Sequence, residues 1–444
     1  MITTPPLLEP RLQRRYQQLA QEQLSLTTAV AAGVRSLPGT GQAFASTQGA
    51  YRFFGNDEIS LPALAHPLLH AARAAVSQEC HSYALVVHDW SNLHYPEHTS
   101  KEDRVSLSCS KDLGYELQTA LVVNDSGQPI SPVHVGVRAA DGVHSTRSEQ
   151  VEPAVSPLDG LQPVMDRIAG LDWSKPVVHL VDAEADSVAH YRQWSRAGHR
   201  FVVRADEQPH VEYAGGEQAL GQVADQLRER GQFHYSRDVE YHGQAAQQYV
   251  VEAAVVLTRP ARPQRRDGQP RRNIPGEPLP LRLVVAEVRD EHGCVLARWL
   301  LLTNVLVEVS ADTIALWYYW RWRIESYFKL LKSAGLHLEQ WQQETAAAVT
   351  RRLLVAAMAC VVVWRLERDR SAPAQEVKKI LIRLSGRQMK RQRPVTAPAL
   401  FAGLWTLLAM LDFLEQYDLQ DLRALIAAAD LGARASKPTQ TGFD

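Results

Sequence analysis

The sequence predicts an α/β protein, on three observations. Apolar strand-like runs alternate with helical stretches between Tyr83 and Arg204. Strand follows strand from Ala205 to about Thr303, and both ends of the chain are helical in pattern. At roughly 150 residues per domain, 444 residues correspond to about three domains or one large domain with appendages. A hydrophobic fraction of 45% and a charged fraction of 22% belong to an ordinary globular chain, and 25 glycines with 24 prolines exclude collagen-like structure or wholesale disorder.

Taken in order, Glu9 to Ala32 has polar and apolar residues at helical spacing and is broken by LPGTGQ. The aromatic and basic segment Gly49-Ala50-Tyr51-Arg52-Phe53-Phe54-Gly55-Asn56 follows. A helix then runs from Ser60, a plausible N-cap, to about Val76. Strands are predicted at Tyr83–Val87, Arg104–Ser110, Tyr115–Val123 and Pro132–Val137. A helix at Leu161–Leu171, a buried strand at Val177–Val181, a helix at Ala183–Ala197 and a strand at Arg200–Val203 make a βαβ-like unit. Antiparallel strands follow at Tyr249–Leu257, Leu281–Val288 and Val295–Leu302, with the Arg/Pro-rich stretch 259–276 as a connection between the first two. Ser310 caps a helix predicted to continue to about Ser333, where Gly335 stops it. The remainder is helical, ending in a helix from Ala399 to Leu431.

The longest uninterrupted apolar run, Leu353 to Trp364, is shorter than the roughly 20 residues a bilayer span needs. The N-terminus lacks the apolar stretch of a signal peptide, so a soluble, cytoplasmic protein is expected. Cys80, Cys109, Cys294 and Cys360 lie far apart without a CxxC pair, which argues against a zinc ribbon or a disulfide framework. With 48 basic and 49 acidic residues there is no global pull on nucleic acid. Local balance differs: 259–272 holds six arginines and one Asp, and 376–393 holds seven Lys/Arg and one Glu. Each run alone fits a solvated face; two in a near-neutral chain point toward a polyanion.

Asp89 follows the strand ALVVH and Asp182 follows VVHLV, the positions from which an α/β sheet presents functional side chains. Glu325 lies on the helix begun at Ser310, with Tyr318, Arg321 and Lys332 spaced to share its face. Singly, such an Asp caps a loop and such a Glu pairs with an Arg. Together, three carboxylates could ligate two divalent cations about 3.5–4 Å apart, which neutralise the attacking and leaving oxygens of a phosphodiester transfer. Arg321 and Lys332 would position the phosphate and Tyr318 would hydrogen-bond it.

Tyr318-x2-Arg321-x3-Glu325-x6-Lys332 resembles the Y-x2-R-x3-E-x6-K signature of bacterial DDE transposases of the insertion-sequence-four family. WLLLTNVLVEV, RWRIESYFK, DAEADSVAHYRQWSRAGHRFVVR and GAYRFFGN look like the transposon-five type, so the resemblance covers roughly residues 10 to 365. It implies an RNase H-like mixed-sheet core with an antiparallel β-rich insertion at about 205–305, within a catalytic domain at 71–370. Helical domains would flank it: 1–70 for DNA binding and 371–444 for dimerisation. It implies Asp89, Asp182 and Glu325 as catalytic metal ligands for Mg²⁺, with Mn²⁺ able to substitute. Tyr318, Arg321 and Lys332 would contact end phosphates, Trp299 would stack on a flipped base, and Arg52 would touch end DNA beside Tyr51, Phe53 and Phe54. Two departures, Ala183 after Asp182 and Trp90-Ser91 after Asp89, remove no carboxylate. Leu404, Leu407, Leu408, Leu411 and Leu414 form an apolar stripe suited to a second copy or to packing within the chain.

The expected reaction has four in-line displacements at phosphorus: nicking by water, hairpin formation by the freed 3′-hydroxyl, hairpin opening, and joining to target DNA by a homodimer on double-stranded DNA. The alternatives are a transposase-derived nuclease without strand transfer and a catalytically silent DNA-binding inhibitor, against which the intact carboxylates argue.

Overall fold

The computed structural model describes residues 8–24, 41–151, 157–182, 187–261, 273–333, 335–387 and 395–428. Three helices come first: α1 (Pro10–Leu24), α2 (Gly41–Phe54) and α3 (Leu61–Glu79). The Ser60 hydroxyl accepts from the Ala63 amide at 3.2 Å, so the predicted N-cap forms. Strands β1 (Ala84–His94), β2 (Val105–Ser106), β3 (Leu113–Asn124), β4 (Pro129–Ala139), β5 (Gly142–Ser145) and β6 (Ser148–Val151) are antiparallel neighbours. Then come α4 (Leu161–Ala169), β7 (Val177–Val181), α5 (Val188–Arg196) and β8 (Arg200–Ala205). Here β7 runs parallel to β1, and β8 parallel to β7. The start of the predicted 183–197 helix, residues 183–186, lies outside the described residues.

The segment after β8 is β-rich as expected: β9 (His210–Tyr213), β10 (Gly216–Ala219), α6 (Leu220–Glu229), β11 (His234–Tyr241), β12 (Gln244–Leu257), β13 (Leu279–Arg289) and β14 (Val295–Thr303). It extends the same sheet, because β14 pairs antiparallel with β8. Among the described residues the result is one 14-stranded sheet, ordered β10-β9-β12-β13-β14-β8-β7-β1-β3-β4-β5-β6, with β11 and β2 as side branches. Within it, β4-β3-β1-β7-β8 is three antiparallel strands followed by two parallel ones, the mixed-sheet core expected of an RNase H-like fold.

The last section is helical: α7 (Ala311–Trp320), α8 (Arg323–Leu331), α9 (Ala346–Arg368), α10 (Ala372–Leu384), α11 (Ala397–Gln416) and α12 (Leu419–Ala428). The single helix predicted from Ser310 to Ser333 is in fact α7 and α8. The Arg321 and Ile324 amides bond three residues back, to Tyr318 and Arg321, so the chain winds tighter at the join. The predicted final helix is likewise divided, at 417–418, and residues beyond 428 lie outside the described residues.

Strand side chains alternate between faces, and both faces of the central strands are covered. Leu85, Val87, Val178, Leu180 and Val202 join the core beneath α7 to α9. On the other face Val86 joins Ala72 and Val76 of α3, and Val181, Phe201 and Val203 join Tyr191 and Trp194 of α5. Helix α9 is long and apolar enough to cross a membrane, but 83% of its most apolar window is buried inside the protein, so it serves as a core helix. Its buried Arg351 donates to the carbonyls of Ile59 and Phe54 at 2.9 and 3.2 Å and pairs with Asp57 at 3.0 Å, fastening the N-terminal helices to the sheet.

Candidate active site

Register brings the two aspartates together. The parallel pairing of β1 with β7 ends at His88 opposite Val181, so Asp89 and Asp182 are the next residues on neighbouring strands. Adjacent strands lie about 4.8 Å apart. Both aspartates take the parity of Leu85, Val87, Val178 and Leu180, whose side chains lie on the face covered by α7 and α8. One expectation is corrected here: Asp89 is not at the end of its strand. Strand β1 continues to His94 because β3 keeps pairing with it after β7 has stopped. The pairing of β7 with β8 ends at Val181 opposite Val203, which puts Arg204 next in the row after Asp182. Sequence reasoning missed Arg204, although its place at the end of a short apolar strand was the available signal.

From above, the turn between α7 and α8 lowers Arg321 onto this row. Its guanidinium meets Asp89 Oδ2 at 3.1 Å, Asp182 Oδ2 at 2.9 Å and Glu325 Oε1 at 3.3 Å. Arg204 Nε adds a second cation to Asp182 Oδ1 at 3.0 Å, and the Tyr318 hydroxyl donates to the same oxygen at 2.9 Å. The Trp90 amide donates to Asp89 Oδ1 at 2.8 Å. The three carboxylates singled out in the sequence therefore converge on one side chain. Arg321 is only 3% exposed, whereas the Glu325 side chain is 43% exposed, so the cluster opens to solvent on the Glu325 side.

Burial pushes the Asp89 carboxyl up to about 6, more than the neighbouring Arg321 guanidinium lowers it. Glu325 is raised in the same direction by burial, against the pull of Arg321. Burial also raises the Tyr318 phenol, with the Asp182 charge adding to it, so the phenol stays protonated and donates. On the opposite face of the sheet His88 Nε2 lies 2.9 Å from His179 Nδ1, and burial pushes His88 down to about 3. This buried pair is therefore neutral and packs the floor under the aspartates without adding charge.

Other predicted site residues are placed differently. Tyr318, Arg321 and Glu325 reach one cluster, but Lys332, beyond the join, donates to the Asn92 carbonyl and pairs with Glu339 at 3.3 Å. Trp299 is 7% exposed and packs against Tyr318 with ring centres 6.1 Å apart, so in this structure it supports the tyrosine. The exposed indole beside the cluster is Trp322, at 46%, with the Arg321 guanidinium 5.2 Å from its ring centre. Phe53 and Phe54 are core residues. Arg52 lines a cavity of about 930 Å³ between α1 and α2 together with Arg11, Arg14 and Arg15. Of the basic run 259–272, residues 262–272 lie outside the described residues, as do residues 388–393 of the run 376–393.

Three hard carboxylate donors gathered around one cationic group suit a divalent ion of the Mg²⁺ or Mn²⁺ kind. Among the described residues, the acids and histidines whose ligand atoms all lie within 4.8 Å of one another are a different trio, Asp103, Asp141 and His144. There Asp103 is committed to the Tyr115 hydroxyl and the Ala346 amide, which ties β3 to the start of α9.

Strand order and the convergence of acids make this an α/β protein with an RNase H-like core. The sequence matches the family described as "Transposase DDE domain" over residues 82–362, and the chain belongs to that family. By family it is placed among the DDE transposases. No curated protein matches it. One solved structure with a likeness is a piggyBac transposase synaptic complex with hairpin DNA, 9% identical, at a TM-score of 0.32. The alignment covers 78% of this chain and 57% of that one, and a likeness of this size carries no argument.

Proposed function

We propose that this transposase binds the ends of its own element, cleaves them by phosphoryl transfer at Asp89, Asp182 and Glu325, and joins the 3′-hydroxyl ends to target DNA. The observation that carries this reading is the convergence of all three carboxylates within 3.3 Å of the Arg321 guanidinium, from two neighbouring strands and one helix. Those residues would hold Mg²⁺, or Mn²⁺ in its place, and the bound metal would neutralise charge on the attacking and leaving oxygens. Arg204 and Tyr318 fix the orientation of Asp182. Arg321 holds the acids together and, once they are otherwise satisfied, can turn its remaining donors to a phosphate oxygen. The exposed Trp322 offers a face on which an unstacked base can rest, a role that suits it better than the buried Trp299.

The further details follow the motif resemblance. The enzyme is of the insertion-sequence-four kind and close to the transposon-five type, and water nicks the end before the freed 3′-hydroxyl closes a hairpin. The helical region 1–70 contacts end DNA through the arginine-lined cavity at Arg52, and Lys332 adds a phosphate contact after release from Asn92. Residues 371–444 pair two copies on DNA in the bacterial cytoplasm. In support, Met410, Leu411 and Leu414 of α11 are exposed, while Leu404, Leu407 and Leu408 pack on the core.

The test is a plasmid carrying the gene's flanking ends around a marker, incubated with purified protein and Mg²⁺ beside Glu325→Gln and Ca²⁺ controls. Excised linear marker with hairpin ends, absent in both controls, is expected. Binding without any cutting by the unsubstituted protein would remove the catalytic assignment.

A further inference from the structure

A second charged feature starts one helical turn from Glu325. A groove of about 750 Å³ opens between α8, the end of α9, α10 and the start of α11, with the β3–β4 turn at its side. Arg323, Lys329, Arg368, Arg370, Lys378 and Arg387 line it, against the single carboxylate of Glu367. The inner cations are already engaged. Arg368 pairs with Glu79 at 2.6 Å, the buried Lys378 donates to the Glu367 and Asp369 carbonyls at 3.0 and 2.6 Å, and Arg323 donates to the Gly127 carbonyl at 2.7 Å. The rim is not. Lys329, Arg370 and Arg387 are exposed, and among the described residues their side chains make no hydrogen bond or ion pair. Six cations against three carboxylates, Glu367 in the groove, Glu79 behind it and Asp369 near Lys378, leave three positive charges unanswered.

Lys329 lies four residues after Glu325 on α8 and so shares its face. The rise of that turn, about 5.4 Å, compares with about 3.4 Å per nucleotide along a DNA strand. A strand with one phosphate at the triad would therefore bring its next phosphates to the mouth of the groove. An unpartnered row of Lys and Arg in a concave surface fits phosphate oxygens.

We infer that this groove holds the phosphodiester backbone of duplex DNA next to the phosphate at the triad, gripping it by charge and without reading bases. The inference rests on the proposed reading of the triad for its direction. Full-length protein and the variant Lys329→Ala/Arg370→Ala/Arg387→Ala are compared by anisotropy on a labelled flanking-end duplex and on a scrambled duplex, between about 50 and 200 mM salt. The expected result is a salt slope shallower by about 0.9 for each cation removed from a phosphate, about 2.7 for the three, equal on both duplexes, with an unchanged melting temperature. An unchanged slope in a folded variant overturns the inference, as does a weakening confined to the flanking-end duplex. A variant that no longer binds a polyglutamate probe while keeping its DNA slope overturns it too, since the groove would then serve an acidic protein segment. Should the triple variant melt early, Arg370→Ala alone must lower the slope by about 0.9. Glu325→Gln separates the two readings: it tests cleavage and leaves this slope where it is.

Discussion

Arg321 carries the charge balance of the metal-free site, since its guanidinium touches all three carboxylates while almost wholly buried. Arg321→Gln leaves those acids facing one another with only Arg204 as a cation. Breaking a buried ionic cluster from one side costs on the order of 3 kcal/mol, so the variant is expected to melt several degrees lower in EDTA and to recover part of that loss with Mg²⁺. Equal melting of both proteins in EDTA would contradict this role. Asp89 gives a pH prediction. Its carboxyl is raised from 3.8 to about 6 by burial, and a metal ligand must be deprotonated. Mn²⁺ affinity measured by titration calorimetry should be flat above about pH 6 and fall toward tenfold per unit below it; equal affinity at pH 7.5 and pH 5 would contradict the assignment. The stability sign is opposite to that of a salt-bridged acid. The native state holds this proton more tightly than the unfolded chain, so Asp89 stabilises the metal-free protein below about pH 4, and that contribution is lost as pH rises through 6. At this scale the three carboxylates were legible because the apolar runs ahead of Asp89 and Asp182 and the helical spacing around Glu325 mark them locally, although Asp89 lies within its strand and not at its end. Trp322 was not, because its role depends on a turn that no local residue announces, and the strand-end position of Arg204 gains its meaning only from the register of β8 with β7.

Among the elements, the sequence shows strand cores better than strand ends. Val177–Val181 matches its prediction, whereas β1 outruns Tyr83–Val87 by seven residues because Trp90 to His94 mix polar and apolar side chains and are held by pairing with β3. The break between α7 and α8 has neither Gly nor Pro at it; the pull of three carboxylates on Arg321 accounts for it instead. Gly127 supports this join from outside. It sits at φ +81° in the β3–β4 turn, any Cβ would fall within the Trp320 ring, and its carbonyl receives Arg323. Gly127→Ala is therefore expected to cost about 3 kcal/mol, combining left-handed backbone strain with overpacking. It should also lower cleavage by tilting α8. Chemical denaturation measures the first effect, and an unchanged midpoint would show that the turn does not brace the helix.

For the whole molecule, the strand and helix alternation between Tyr83 and Arg204 was enough to foresee a mixed α/β core, but not that the β-rich segment would continue the same sheet. That depends on β14 pairing with β8, a contact between residues about a hundred positions apart. The leucine stripe in α11 is also settled by tertiary packing, which takes Leu404, Leu407 and Leu408 into the core and leaves Leu411 and Leu414 outside. The arrangement as a whole serves one claim, that residues 93 and 143 positions apart in the chain act as one phosphoryl-transfer site. The most direct measurement replaces each acid by its amide, Asp89→Asn, Asp182→Asn and Glu325→Gln, and follows single-turnover cleavage, DNA binding and Mn²⁺ binding for all three. Loss of cleavage in every variant, with weakened Mn²⁺ binding and DNA affinity close to that of the unsubstituted protein, is the predicted result. Full cleavage by any one of them would contradict it.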